Sequence, residues 1–471
     1  MRSSAASAGL LSPLRGAAVA AMIGMILGVS GESREARADQ PRSLLLGPPA
    51  RAPAPRPVDT RLPTGGVRVD QPRPSGASTP ACGFRVPVCV HAAPSVEPAR
   101  ALQTLQSLER AYERLVWALD LPAPRDDLGR GGSDALDLYL VDGDRGVELG
   151  VYNDVAAGQG WDATSSFCVL DAGSTSSFER AAALCVGEAI GRRLDAAETP
   201  HTLRGYATHL WWLSGAPTTS DWDALDRIQL MPERSIGGRE LERTSEGAAL
   251  FFEYLDATWG FGAPGWLASS LVALSAGKTA APAFRWNNEP DTWDVVRESV
   301  GGLPRFASLM SDFSVRRAFL GERDDGTHFP SLGWAGWFGS PRFDWTLGWS
   351  SLPRRVLLSR PIAPTGAAYL WVDLDGVALG SALGFQAECE GPAPFVWSLV
   401  RVGRDGRELG RLEVPFQEAV RKVEQRVTNL ETAVGVIVVA TNLGGISTAF
   451  PFDPDIYPYE PHNCSVYLVR L

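Results

Sequence analysis

The sequence predicts an α+β chain, with a mostly helical domain over residues 82–350 followed by an all-β sandwich over 351–471. Three observations predict it. Residues 179–215 carry two apolar stripes at helical spacing, broken by Glu198-Thr199-Pro200. Residues 98–119 carry a longer stripe through Leu102, Leu105, Leu108, Tyr112, Leu115 and Leu119. From about Arg355 onward, short strand-like runs recur between Gly, Asp and Pro, at the spacing of a sandwich. With 471 residues, 45% of them hydrophobic and 21% charged, the chain can bury the cores of two or three domains.

Residues 1–38 read as a cleaved secretory signal. Arg2 and Arg15 precede an apolar run over 16–31, and Ala36-Arg37-Ala38 fits the small-x-small cleavage rule, with Asp39 as the mature start. An uncleaved N-terminal anchor is the alternative. No later segment is long and apolar enough to span a bilayer, so the expected location is secreted or periplasmic, with no membrane span in the mature chain. Residues 39–81 are rich in Pro, Arg, Gly and Ser and read as a flexible linker. Six cysteines in an exported chain imply disulfides, and proximity favours Cys82–Cys89, Cys168–Cys185 and Cys389–Cys464.

In order, the expected elements are a strand over 84–91, the helix over 98–119, a strand over 134–141 and a strand over 166–170. The helix over 179–194 follows, then a second through Leu203, Tyr206, Leu210 and Trp211. A polar loop containing Trp222 comes next, then helices over 245–260, 291–300 and 304–319, and an irregular Trp- and Gly-rich stretch over 329–350. Strands are expected at 357–358, 368–374, 377–388, 395–403, 408–414, 433–441 and 466–471.

The two helices of 179–215 contain Gly187-Glu188-Ala189-Ile190-Gly191 and Arg204-Gly205-Tyr206-Ala207. Upstream lie His91, at the end of a V-C-V-H strand, and a P-x-x-D-x-x-x-G-G-x-x-x-x-D-x-Y-L run formed by Pro124, Asp127, Gly131, Gly132, Asp137, Tyr139 and Leu140. In the order of these elements, residues 84–320 resemble secreted gluzincin-like zinc metallopeptidases. That resemblance implies a zincin-like fold with 166–170 as the strand edging the cleft. It aligns the segment Gly187–Gly191 with H-E-x-x-H and Arg204 with the glutamate of the following helix. Glycine has no ligating atom, and Arg204 is a permanent cation with no acceptor. Glu188 keeps the general-base position, but without a metal-bound water it has nothing to activate. The resemblance therefore implies a degenerate member with no metal, no cofactor and only vestigial site positions at Gly187, Glu188, Gly191 and Arg204. Read without it, Gly187 and Gly191 are packing glycines and Glu188 is a carboxylate balanced by Arg192 one turn on.

Other groups carry weaker signals. His201 or His209, with Glu188 and Cys185, would supply ligands at a spacing that matches no zinc pattern. Ser275-Ala-Gly-Lys278 matches S-x-x-K without its companion motifs. Asp324-Asp325 reads as a solvated turn, and Asp453 with Asp455 as a turn or a calcium loop. His91, His328 and His462 read as ordinary polar or capping residues. Trp211 and Trp212 read as core, with a ligand groove as the alternative. The net charge is −10, the lysines are Lys278 and Lys422, and no basic cluster suits nucleic acid. The expected function is a non-catalytic, polypeptide-binding or structural role in the cell envelope or extracellular space. Its rivals are a hydrolase with a non-standard site around Glu188 and a surface or carbohydrate-binding protein acting through the sandwich.

Overall fold

A computed structural model describes residues 72–75, 80–142, 149–156, 163–174, 177–238, 241–260, 262–276, 290–390, 394–414, 421–444 and 461–471. The expected signal peptide, most of the linker, Lys278, Asp453 and Asp455 lie outside the described residues. The α+β class holds. The first sheet has five strands, β1 (Ala81–Cys82), β2 (Val88–Ala92), β3 (Leu136–Val141), β4 (Leu149–Ala156) and β5 (Thr164–Asp171), in the order β1-β2-β3-β5-β4. β2, β3 and β5 run parallel, and β1 and β4 are antiparallel edges.

A parallel pair needs a crossover. Helix α1 (Pro98–Tyr112) supplies the one between β2 and β3. Pro98 starts it where a missing N–H costs nothing, and Leu105, Leu108, Ala111 and Tyr112 face the core. Its expected last turns form a π-helical segment, Glu113–Ala118. Helix α2 (Phe178–Leu194) follows β5 and is buried on nearly every face, which its Ala- and Gly-rich sequence allows. Cys168–Cys185 ties β5 to α2, while Cys82–Cys89 ties β1 to β2.

Helix α3 (Pro200–Ser214) opens on a Thr199 cap that accepts from the Thr202 N–H. Helix α4 (Thr219–Leu230) replaces the expected polar loop around Trp222. Thr218 and Asp221 form a reciprocal capping box, and only Ala224, Leu225 and Ile228 supply its buried apolar stripe. Helices α5 (Ala249–Trp259), α6 (Trp266–Ser275), α7 (Thr292–Ser299) and α8 (Leu303–Arg317) complete this half, and α6 was not expected.

The C-terminal strands are β6 (Trp345–Gly348), β7 (Arg354–Leu357), β8 (Ala367–Asp373), β9 (Leu383–Cys389), β10 (Phe395–Gly403), β11 (Glu408–Val414), β12 (Lys422–Val427), β13 (Ala433–Asn442) and β14 (Cys464–Arg470). They form a five-stranded sheet, β11-β10-β13-β8-β6, and a four-stranded sheet, β12-β9-β14-β7. Period-two alternation sends Leu370, Leu399 and Val438 into one core with Phe385, Ala387 and Val466 of the other sheet. Tyr369, Val400 and Ile437 point the other way, onto Val315 and Phe319 at the end of α8. The five-stranded sheet is therefore covered on both faces. Cys389–Cys464 joins β9 to β14, and the three disulfides fit an extracellular or periplasmic compartment. Among the described residues, no helix is long and apolar enough to cross a membrane.

Charges cross the contact between α8 and the sheet. Arg411 of β11 pairs with Glu408 and, at 2.7 Å, with Asp312 of α8. His328 lies 2.9 Å from Asp325 and 3.0 Å from Glu408, stacked on Phe319. Burial opposes each charge, yet the imidazole holds Asp325 down at about 2, the imidazole and Arg411 together hold Glu408 down at about 2, and the two carboxylates raise His328. Asp325 does sit in a turn, accepting from the Thr327 and His328 N–H groups, but its side chain is buried against His328 and not solvated as expected.

Candidate functional site

The site grows from the crossing of α2 and α3. A Cβ at Gly187 would lie 3.0 Å from both Cα and Cβ of Ala207, and one at Gly191 would lie 2.7 Å from Cδ2 of Leu203. The two glycines let the helices meet almost backbone to backbone. In that close crossing, Glu188 on α2 meets Arg204 on α3.

Glu188 accepts a hydrogen bond from the Arg204 Nε–H, and its other oxygen lies 3.7 Å from Arg192, one turn along α2. All three side chains are buried. Arg204 also donates to the Leu149 carbonyl at 3.1 Å and lies 3.6 Å from Glu246. Arg192 donates to Asn153 Oδ1 at 2.8 Å. Leu149 and Asn153 belong to β4, so two arginines tie the edge strand to the helix pair. Arg180 continues the network, bonding Glu246 at 2.9 Å and Asp221 at 3.0 Å. The Trp211 and Trp212 indoles donate to Asp221, which makes both tryptophans core residues and not a groove lining.

Burial works against every charge in this group, so each depends on its neighbours. Burial lowers Arg204, but Glu188 and Glu246 more than compensate and raise it. Burial and the nearby Arg204 leave Arg192 lowered despite Glu188. Arg180 and Arg204 overcome burial to keep Glu246 below its ordinary range. Three guanidinium groups and three carboxylates balance.

The sequence-level candidates fall as follows. Glu188 and Arg204 come together, and Gly187 and Gly191 line their crossing. Cys185 is in a disulfide and offers no thiolate. His201 bonds Ser245 at 2.9 Å. His209 lies 2.7 Å from Asp256 and 3.2 Å from Glu253, which carry it past the burial penalty and push it up to about 9. These bonds of the two histidines run to groups other than Glu188. Ser275 donates to Asp195. Among the described residues, no group of three or more His, Cys, Asp or Glu side chains is arranged to hold a metal ion.

The expected cleft edge needs correction. Residues 166–170 lie in β5, inside the sheet between β3 and β4, and the edge is β4. Sequence reasoning missed β4, whose Gly150, Asn153 and Asp154 interrupt its apolar pattern. It also missed Arg180, Asp221 and Glu246, for which the only available signal was charge inside otherwise apolar helical stretches. No family model matches the chain, and no curated protein matches it.

Proposed function

We propose that the chain is an exported pseudoenzyme on a zincin-like scaffold, acting by binding or as a structural component in the cell envelope or extracellular space. The observation that carries this reading is the engagement of Glu188 by Arg204, on the helix where the gluzincin-like resemblance asks for a metal-binding glutamate. A cation in that place takes up the lone pairs a metal-bound water would need. The two glycines support the same reading, because they leave no room for ligating side chains between α2 and α3. β4 supports it too: a substrate strand would lie along such an edge, and here Arg192 and Arg204 bind that edge to the helices. A mixed sheet followed by a helix pair supports the α+β part of this reading. Residues 82–350 and 351–471 remain the proposed domains.

The test is elemental analysis of protein purified without chelator or added metal, beside a Glu188→Ala variant, with peptide hydrolysis measured on both. Substoichiometric zinc and no hydrolysis in either protein are expected. Near-stoichiometric zinc that disappears in the variant would overturn the proposal.

A further inference from the structure

The P-x-x-D-x-x-x-G-G-x-x-x-x-D-x-Y-L run has no part in the Glu188 network. Its polar residues gather elsewhere, around the side chain of Arg73. The Arg73 guanidinium donates to the carboxylates of Asp127, Asp137 and Asp154 and, at 3.2 Å, to the Tyr139 hydroxyl. Its Nε–H adds a second bond to Asp154 at 3.2 Å, so all three nitrogens are used. The guanidinium carbon sits 5.3 Å from the Phe167 ring centroid and 5.9 Å from that of Tyr139.

The walls are built independently of their occupant. Asp137 and Tyr139 stand on β3, Asp154 on β4 and Phe167 on β5. Asp127 is held by the N–H groups of Gly129 and Gly131 at 2.9 and 3.1 Å. His91 of β2 stacks on Tyr139 and places Nε2 2.8 Å from Asp137. The occupant, by contrast, comes from a separate stretch. Among the described residues, the hydrogen bonds of 72–75 are made by the Arg73 side chain alone, and Pro72 and Ser75 are exposed. Without Arg73, the arginine left among the described residues to pair with the three buried aspartates is the half-exposed Arg130, at 2.8 Å from Asp154. Burial already pushes the Asp127 carboxyl up against the pull of Arg73.

We propose that this pocket is a recognition site for an arginine side chain on an extended, proline-flanked polypeptide, and that Arg73 fills it as a tethered ligand. The chemistry selects arginine: a planar fork reaches three carboxylates and a hydroxyl while resting on aromatic rings, and a lysine ammonium is a single point charge. Pro74 biases Arg73 toward extended backbone, and a Pro-Arg-Pro segment has fewer conformations to give up when it binds. The inference does not rest on the reading of Glu188, since a working metal centre would leave this pocket unchanged.

The test uses the full chain with Arg73→Ala and a fluorescent peptide of residues 70–75. Peptide binding is followed by anisotropy, and folding by near-ultraviolet circular dichroism. The variant is expected to bind the peptide at least about tenfold more tightly than the parent chain does, because the tethered arginine no longer competes. A lysine or citrulline in place of the peptide arginine is expected to cost at least about tenfold, as is Asp154→Asn in the variant. An Arg73→Lys chain keeps a charge in the pocket and is expected to admit the peptide as well, should the alanine variant fail to fold. A folded variant that ignores the peptide would make Arg73 a structural staple and overturn the proposal. So would a folded variant that takes up calcium but no peptide.

Discussion

Replacing Glu188 by alanine separates a structural carboxylate from a catalytic one. The substitution removes the partner of two buried guanidinium groups. Arg204 would keep Glu246 at 3.6 Å and the Leu149 carbonyl at 3.1 Å. Among the described residues Arg192 would keep only its hydrogen bond to Asn153, and its charge is already disfavoured by burial. Removing one partner of a buried pair costs about 3–5 kcal/mol. The contacts left to Arg204 put the expected loss near the lower end, about 3 kcal/mol. Equilibrium urea unfolding, followed by far- and near-ultraviolet circular dichroism, reads this as a lowered midpoint. A Glu188→Leu, Arg204→Met double variant should recover the part of the loss that comes from Arg204, because an apolar pair replaces that charge pair and removes a repulsive neighbour of Arg192, which still lacks its carboxylate. Glu246 would still have Arg180 in that variant. An active-site carboxylate behaves in the opposite way, since function is commonly bought with local instability and its removal is neutral or stabilising. A loss below about 1 kcal/mol, or a gain, would refute the structural assignment of Glu188.

Two further outcomes follow from the same geometry. Gly187→Ala should destabilise by about 1–3 kcal/mol in the same urea assay although alanine is the better helix former, because its Cβ meets the backbone of Ala207. Gly191→Ala, whose clash is with the movable end of Leu203, should cost less, and equal effects would argue against a close-packed crossing. His209, raised to about 9 by Asp256 and Glu253, gives a pH signature. Its contribution is complete below the ordinary value of 6.5 and is lost as pH rises through 9, a span worth about 3 kcal/mol. Thermal unfolding of His209→Gln should therefore fall furthest below the parent near pH 6 and approach it near pH 10.

Elements whose apolar residues repeat regularly were legible in the sequence. The periodicity of α2 and α3 gave both helices within a few residues, and β10 and β11 match their expected bounds because their strand patterns end at Gly, Asp and Pro. The cysteine pairs were legible because each partner was the nearest available. The misses differ in cause: α6, WLASSLVALS, is apolar on most faces and so lacks a clear period. In β12, KVEQRV, exposed charges alternate with half-buried residues on a sheet edge, so little apolar signal remains. The candidate site was half legible. Glu188 and Arg204 stand at positions a family resemblance can align, whereas Glu246, Arg180 and Asp221 meet across 41 to 66 residues. Such pairings leave no local period. Arg73 is the extreme case, an arginine in a Pro-rich stretch whose partners lie 54 to 81 residues away.

The charges at the α2–α3 crossing suggest why Glu188 remains in a site that, on the proposed reading, has lost its metal. A buried carboxylate needs a cation, and a bound zinc ion would be one. If the ligands alone were lost, buried Glu188 would be left with the longer 3.7 Å contact to Arg192 and no close cation. Arginine in place of the second-helix glutamate removes one negative charge and adds one positive charge in a single step. Its long side chain reaches Glu188 directly and still satisfies the Leu149 carbonyl on the edge strand. Replacing the histidines by glycine then lets the helices close on that pair. On the proposed reading, each of the three departures from H-E-x-x-H and its partner glutamate thus has a packing or charge role.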